Sequence, residues 1–191
     1  MKKSYGTVNI AFVGPFASGK TYMSKLLVQE LKRRNIKAHK LSIADEIKRL
    51  ARDLFGMKKK NRRLLQVLGA KMRDIDKMVW INYAVNKIKR RNLEPFIIDD
   101  LRFLHEYSEI KRNFPNTITV KIRSSKDARD NIYKRLYGRK PTTTESNDST
   151  ETELNKIKCD YEIINDYKRE SAERSINIMI DKFFTKTAKK R

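Results

Sequence analysis

Apolar residues along this chain fall into short uninterrupted runs, separated by longer stretches in which they recur every three or four positions. Val8 to Val13 is the first such run. Followed directly by glycine, it predicts a buried strand. Lys20 to Arg34 has helical spacing, Asn35 breaks it, and Ala38 to Ser42 predicts a short second strand. Helices are predicted over Asp45 to Leu54, stopping at Gly56, and then beyond the charged link Lys58-Lys59-Lys60-Asn61-Arg62-Arg63 to about Met72. A longer one is predicted over Lys77 to Arg91, where Trp80, Ile81, Tyr83, Ala84, Val85 and Ile88 are linked by three- and four-residue spacings. Pro95 closes that helix, and Phe96-Ile97-Ile98 reads as a fully buried strand ending in Asp99-Asp100. A helix over Leu104 to Arg112, a strand over Thr117 to Ile122 and a helix over Lys126 to Tyr137 follow. The Thr-, Ser-, Asn- and Asp-rich stretch Gly138 to Thr150 predicts a mobile loop. A last strand over Tyr161 to Ile164, a closing helix over Ser171 to Phe184 and a basic disordered tail over 185–191 complete the chain.

Strands that alternate with helices imply an α/β protein: a three-layer α/β/α domain over 1–184, with a central parallel sheet of about five strands and right-handed crossovers. No internal repeat is present. In such sheets ligands sit beyond the carboxyl ends of the strands, so the segments after Val13, Ile98, Ile122 and Ile164 should converge on one cleft.

The segment after Val13 carries the clearest chemistry. Gly14-Pro15-Phe16-Ala17-Ser18-Gly19-Lys20-Thr21 is a complete G-x-x-x-x-G-K-[ST] phosphate-binding loop between a strand and a helix. Its glycines let backbone N–H groups point inward, and the dipole of the following helix faces the same anion. Lys20 would reach the β and γ phosphates of ATP, and Thr21 would ligate Mg²⁺. Asp99 and Asp100 end an apolar strand, where such proteins place the carboxylate of the metal shell. One of Asp99 and Asp100 would serve the metal and the other orient a substrate hydroxyl or phosphate-bound water, and the sequence does not decide which; Asp100 also suits a helix N-cap. Arg102 should point into the same cleft with a fork suited to phosphate, and Glu106, four residues on, would hold it in place.

Composition narrows this picture little. At 191 residues the chain fits one domain. No apolar run spans a bilayer and the N-terminus shows no signal-peptide pattern, so a soluble, cytoplasmic protein is expected. The single cysteine, Cys159, excludes an internal disulfide and is expected to be a small core residue. His39 and His105 have no metal-ligand spacing. Forty-five Lys and Arg against 23 Asp and Glu give a net charge of +22, far more than one phosphorylated ligand requires. A nucleic-acid partner or simply a Lys-rich proteome would each account for it.

The order of Gly14 to Thr21, Ser42-x-Ala44-Asp45-x-x-Lys48, Leu65-Gln66-x-x-Gly69-x-x-x-Arg73 and Asp99-Asp100-x-Arg102-Phe103-x-x-Glu106 resembles the deoxynucleoside monophosphate kinases of phage and large viruses, within the P-loop nucleoside monophosphate kinases. The resemblance spans about residues 8 to 166. It implies ATP- and Mg²⁺-dependent phosphoryl transfer to a (deoxy)nucleoside monophosphate, by a monomer or homodimer. It further implies a helical monophosphate-binding insertion at about 43–92, where Arg73 and Arg102 grip the acceptor phosphate with Asp45, Lys48 and Gln66 nearby. A lid at about 126–152 would bear Arg129, Arg135 and Arg139, the last two sharing a helix face if the helix continues. Asn165 and Asp166 would approach the ATP base, and Thr150-Glu151-x-x-Leu154 matches the family's closing segment. The chain departs at Asn147-Asp148-Ser149, where such kinases often carry a histidine. Phosphomevalonate kinase, dephospho-coenzyme A kinase and a polynucleotide 5′-kinase are the alternatives.

Overall fold

A computed structural model describes residues 8–142 and 157–184. Its elements are β1 (Asn9–Val13), α1 (Lys20–Arg33), β2 (His39–Leu41), α2 (Ala44–Phe55), α3 (Arg62–Ile75), α4 (Val79–Arg91), β3 (Phe96–Ile98), α5 (Leu104–Asn113), β4 (Thr117–Arg123), α6 (Lys126–Tyr137), β5 (Tyr161–Ile164) and α7 (Arg169–Phe183). The strands form one sheet in the order β2-β3-β1-β4-β5. Every pairing is parallel, with Ile10 of β1 in register with Ile97 of β3 and Ile118 of β4.

β1 lies at the middle of the sheet and is buried along its whole length. Its alternation splits the core into two layers. Ile10 and Phe12 face Met23, Leu27 and Leu31 of α1 and Ile176 and Met179 of α7. Ala11 and Val13 face Ile47 of α2, Trp80, Ile81, Val85 and Ile88 of α4, and Ile110 of α5. Helices thus cover both faces, the three-layer α/β/α arrangement expected of a parallel sheet. Burial of these apolar side chains is the main favourable term, at about 1.5–3 kcal/mol each. Between β2 and β3 the chain makes three helices. α3 lies close against α2 at Gly69, where a Cβ would come 3.3 Å from Ile47 Cδ1. The Trp80 indole N–H donates to the Gly69 carbonyl at 3.1 Å.

The element order matches the sequence pattern, and several boundaries move for identifiable reasons. α3 runs on to Ile75 and α4 begins only at Val79, since the Asp76 carboxylate between them accepts from the Met78 amide at 2.8 Å. α7 starts two residues before Ser171 because Asp166 accepts from the Lys168 amide at 3.0 Å and from Ser171 Oγ at 2.9 Å. β2 is reduced to three residues: at the sheet's edge it pairs with β3 alone. Cys159 is half-buried at the margin of the core and not inside it. The outer part of the loop Gly138 to Thr150, the segment Asn147 to Leu154 and the tail 185–191 lie outside the described residues. Among those described, no helix is long and apolar enough to cross a membrane.

Candidate functional site

The phosphate loop leaves β1 and enters α1 at the carboxyl edge of the sheet. Gly14 takes φ +150°, and a Cβ there would sit 2.5 Å from the Ile122 carbonyl of β4, so the loop can leave the strand this closely only as glycine. Gly19, at φ +96°, precedes α1, and a Cβ on it would strike Asn165 Nδ2 at 2.3 Å. Ala17 also has positive φ. Lys20 folds back across the loop, its Nζ donating to the Gly14 and Pro15 carbonyls at 2.6 and 2.7 Å. Ser18 Oγ is buried with no hydrogen-bond partner among the described residues. A curled backbone, an orphaned inward hydroxyl, a lysine at the mouth and a helix start behind them fit a bound phosphate chain.

Outer elements brace the loop. After β5, the Asn165 amide donates to the Ser18 carbonyl at 2.8 Å and its oxygen accepts from the Tyr167 amide at 3.0 Å. The Tyr167 hydroxyl donates to the Ala17 carbonyl at 2.8 Å. Of the two residues expected near the ATP base, Asn165 reaches the phosphate loop itself, and Asp166 accepts from the Lys168 amide and Ser171 Oγ at the start of α7. Phe16, within the loop, packs its ring edge-on against Tyr133 of α6, with centroids 5.2 Å apart.

The two aspartates after β3 diverge. Asp99 is buried, and its Oδ2 accepts from Ser24 Oγ at 3.0 Å and pairs with Lys40 Nζ at 2.8 Å. Ser24 also donates to the Thr21 carbonyl at 3.0 Å, so Asp99 is joined through one hydroxyl to the turn of α1 that carries Thr21. Thr21, exposed at that turn, and Asp99 are the residues that fit a Mg²⁺ ion, which needs only one or two carboxylates beside substrate phosphates. Among the described residues no cluster of three or more His, Cys, Asp or Glu could hold a metal by itself.

Asp100 turns the other way. It accepts from Ser42 Oγ at 2.6 Å and from the Ile43 and Ala44 amides at 2.9 and 2.8 Å, capping α2 across the sheet and not its own helix α5. Burial pushes its carboxyl above the usual range, against those three donors.

α5 is capped instead by Glu106, whose Oε2 accepts from the Arg102 and Phe103 amides at 2.9 and 3.3 Å. This corrects the expectation that Glu106 holds the Arg102 side chain: the carboxylate is engaged by backbone. The Arg102 guanidinium is exposed, with no hydrogen bond or ion pair among the described residues. Arg73, half-buried on α3, lays its guanidinium over the Phe103 ring, 4.9 Å from the centroid. Burial raises the Glu106 carboxyl to about 7; the Asp100 charge adds to this, while the Arg102 and Phe103 amides and Arg73 oppose it.

The remaining candidates are spread out. Asp45 and Lys48 are bound to each other at 2.8 Å on the outer face of α2, and Gln66 is exposed on α3. Arg135 is exposed on α6, whereas Arg139 lies beyond the helix, which Gly138 ends in a left-handed turn. The two do not share a helix face, because the αL residue turns the chain away after Tyr137. Arg139 sits over the Tyr133 ring at 5.5 Å, and Arg129 donates to the Ser124 carbonyl at 2.7 Å. Sequence reasoning missed Lys40, Tyr167 and the platform role of Phe103. Lys40 and Tyr167 belong to no spacing pattern, and Phe103, although part of the motif after β3, carried no sign of its contact with Arg73.

No protein-family model matches the chain, and no curated protein is similar to it. Among solved structures it is similar to TT1252 from Thermus thermophilus, at 16% identity and a TM-score of 0.60, over 94% of this chain and 99% of that one. It is also similar to a gluconokinase from Sinorhizobium meliloti 1021, at 10% identity and a TM-score of 0.56, over 92% and 95% of the two chains. A shikimate kinase from Bacteroides thetaiotaomicron matches at 16% identity and a TM-score of 0.56, over 92% and 98%. At these identities the likeness shows a shared architecture: the chain has the three-layer α/β/α fold of P-loop kinases.

Proposed function

We propose that this protein transfers the γ-phosphoryl group of ATP to a (deoxy)nucleoside monophosphate, forming the diphosphate. The phosphate loop supports the donor half of the reading. The acceptor half rests on one observation: both aspartates at the tip of β3 are already engaged, Asp99 by Ser24 and Lys40 and Asp100 by three donors from the start of α2. A hydroxyl acceptor has a proton to lose and calls for a free base nearby. A phosphate monoester, with a second pKa of about 6, offers an oxygen that is already ionised at neutral pH. Beside these carboxylates stand two guanidinium groups, the unpartnered Arg102 and Arg73 on its Phe103 platform, suited to an anionic acceptor.

In the reaction an acceptor phosphate oxygen bonds to the γ phosphorus as the bond to the β–γ bridging oxygen breaks, and ADP leaves with that electron pair. Lys20 follows the charge on the transferring group; Arg73 and Arg102 hold the acceptor in line. Mg²⁺ at Thr21 and Asp99 would neutralise phosphate charge. Arg135 and Arg139 complete the proposal as lid residues.

ADP release tests this against a panel of ribo- and deoxynucleoside monophosphates, phosphomevalonate, dephospho-coenzyme A, gluconate, shikimate and a 5′-hydroxyl oligonucleotide. Nucleoside monophosphates should raise release above the no-acceptor level, and Lys20→Ala should lower turnover by at least ~10²-fold with the circular dichroism spectrum unchanged. Stimulation by hydroxyl acceptors alone defeats the phosphate-acceptor reading; no stimulation by any compound defeats the kinase.

A further inference from the structure

The far end of the α2–α3 hairpin carries charge that the catalytic reading does not use. α2 starts beside Asp100 and runs for 12 residues, which puts its end about 18 Å from the site. There Leu54 and Phe55 are 68% and 56% exposed. Around them Arg52, Lys58, Lys59, Lys60 and Arg63 are all exposed, and none makes a side-chain hydrogen bond or ion pair among the described residues. From 49 to 73 the only acidic residue is Asp53, which is held by Arg49 at 2.7 Å. The arrangement also works against local stability. α3 has no acidic residue in its first turn but has Arg63 there, at the end where the helix dipole disfavours a cation. Asn61 caps α3 by accepting from the Leu64 amide at 3.0 Å, but no acidic side chain in that turn offsets Arg63.

We infer that this tip is a docking surface for single-stranded nucleic acid: the unpaired cations take backbone phosphates, and the exposed Phe55 ring takes a base. Charge complementarity chooses the partner. A second copy of this chain would bring another +22 to the same tip. A duplex keeps its bases stacked away from Phe55. Lys58, Lys59 and Lys60 are consecutive, exposed and unpaired, a run that the phosphates of a flexible strand can follow. Paired with an aromatic platform, such a basic track is the usual means of holding single strands. The inference does not depend on the kinase reading.

The test is fluorescence anisotropy of the full chain with labelled DNA and RNA oligonucleotides of about 20 nucleotides, across a salt series. The triple change K58Q/K59Q/K60Q should weaken binding at least tenfold and flatten the log–log salt slope by about two, at roughly 0.7 per phosphate contact on a single strand. Phe55→Ser should weaken binding by about tenfold with the slope unchanged. A control triple, K32Q/K37Q/R174Q, removes the same charge elsewhere and should cost less than twofold. Equal losses from both triples mean diffuse attraction to a basic protein and overturn the proposal. So does loss of binding to anionic phosphatidylserine vesicles in the tip variant with oligonucleotide binding intact. Thermal melts confirm that each variant is folded.

Discussion

Glu106 is 3% exposed and carries a carboxyl raised to about 7, above the ordinary 4.5, chiefly by burial. The sign follows from linkage. Unfolded, the group ionises near 4.5; folded, it stays protonated until about 7, so the folded form binds the extra proton. The stability this contributes is complete below about pH 4.5 and is lost as pH rises through about 7, an amount on the order of 3 kcal/mol. Glu106→Gln keeps an oxygen for the Arg102 and Phe103 amides and removes the titration. Melting temperature followed from about pH 5 to about pH 8 should therefore fall more steeply in the wild type than in the variant. Parallel curves would place the titrating group elsewhere. The sequence marked Glu106 only as a partner in helix spacing. Its true partners are amides of its own helix start, and its pKa comes from burial beside Asp100, which no spacing reports.

At the scale of elements, the phosphate loop is held from outside by the turn joining β5 to α7. Asn165 and Tyr167 donate to the Ser18 and Ala17 carbonyls, so the curl that aims the loop's N–H groups inward depends on a segment some 150 residues away in sequence. Asn165→Leu keeps the size of the side chain but deprives the Ser18 carbonyl of its donor. An unmet buried carbonyl costs about 1–3 kcal/mol. The apparent Kd for ATP, measured by calorimetry, should rise about tenfold, since part of that cost falls on the loop geometry that binds phosphate. Unchanged ATP binding with a lowered Tm would make the brace purely structural. The motif from Gly14 to Thr21 was legible because its glycines and lysine recur at required positions. The brace was not, because one asparagine and one tyrosine after a short strand have no signature of their own.

For the molecule as a whole, +22 is self-repulsion as well as affinity. Most described ion pairs join residues three or four apart, and the exposed ones among them are worth about 0–1 kcal/mol each. Screening should thus relieve more repulsion than it removes attraction, and Tm should climb by roughly 3–6 °C between about 50 mM and about 300 mM sodium chloride. A Tm that falls would mean that the ion pairs outweigh the net charge. The sequence by itself determined the alternation of strands and helices, the parallel two-faced sheet and the phosphate loop, since these follow from periodicity and from backbone conformations that specific residues require over short distances. Tertiary structure alone decided which aspartate meets the turn of Thr21 and which caps α2, that Arg73 rests on Phe103 while Arg102 stays open, and that Asn165 braces the loop. Each of those depends on the sheet order β2-β3-β1-β4-β5, which brings the ends of strands distant in sequence to one edge, and side chains that meet across strands leave no periodic trace along the chain.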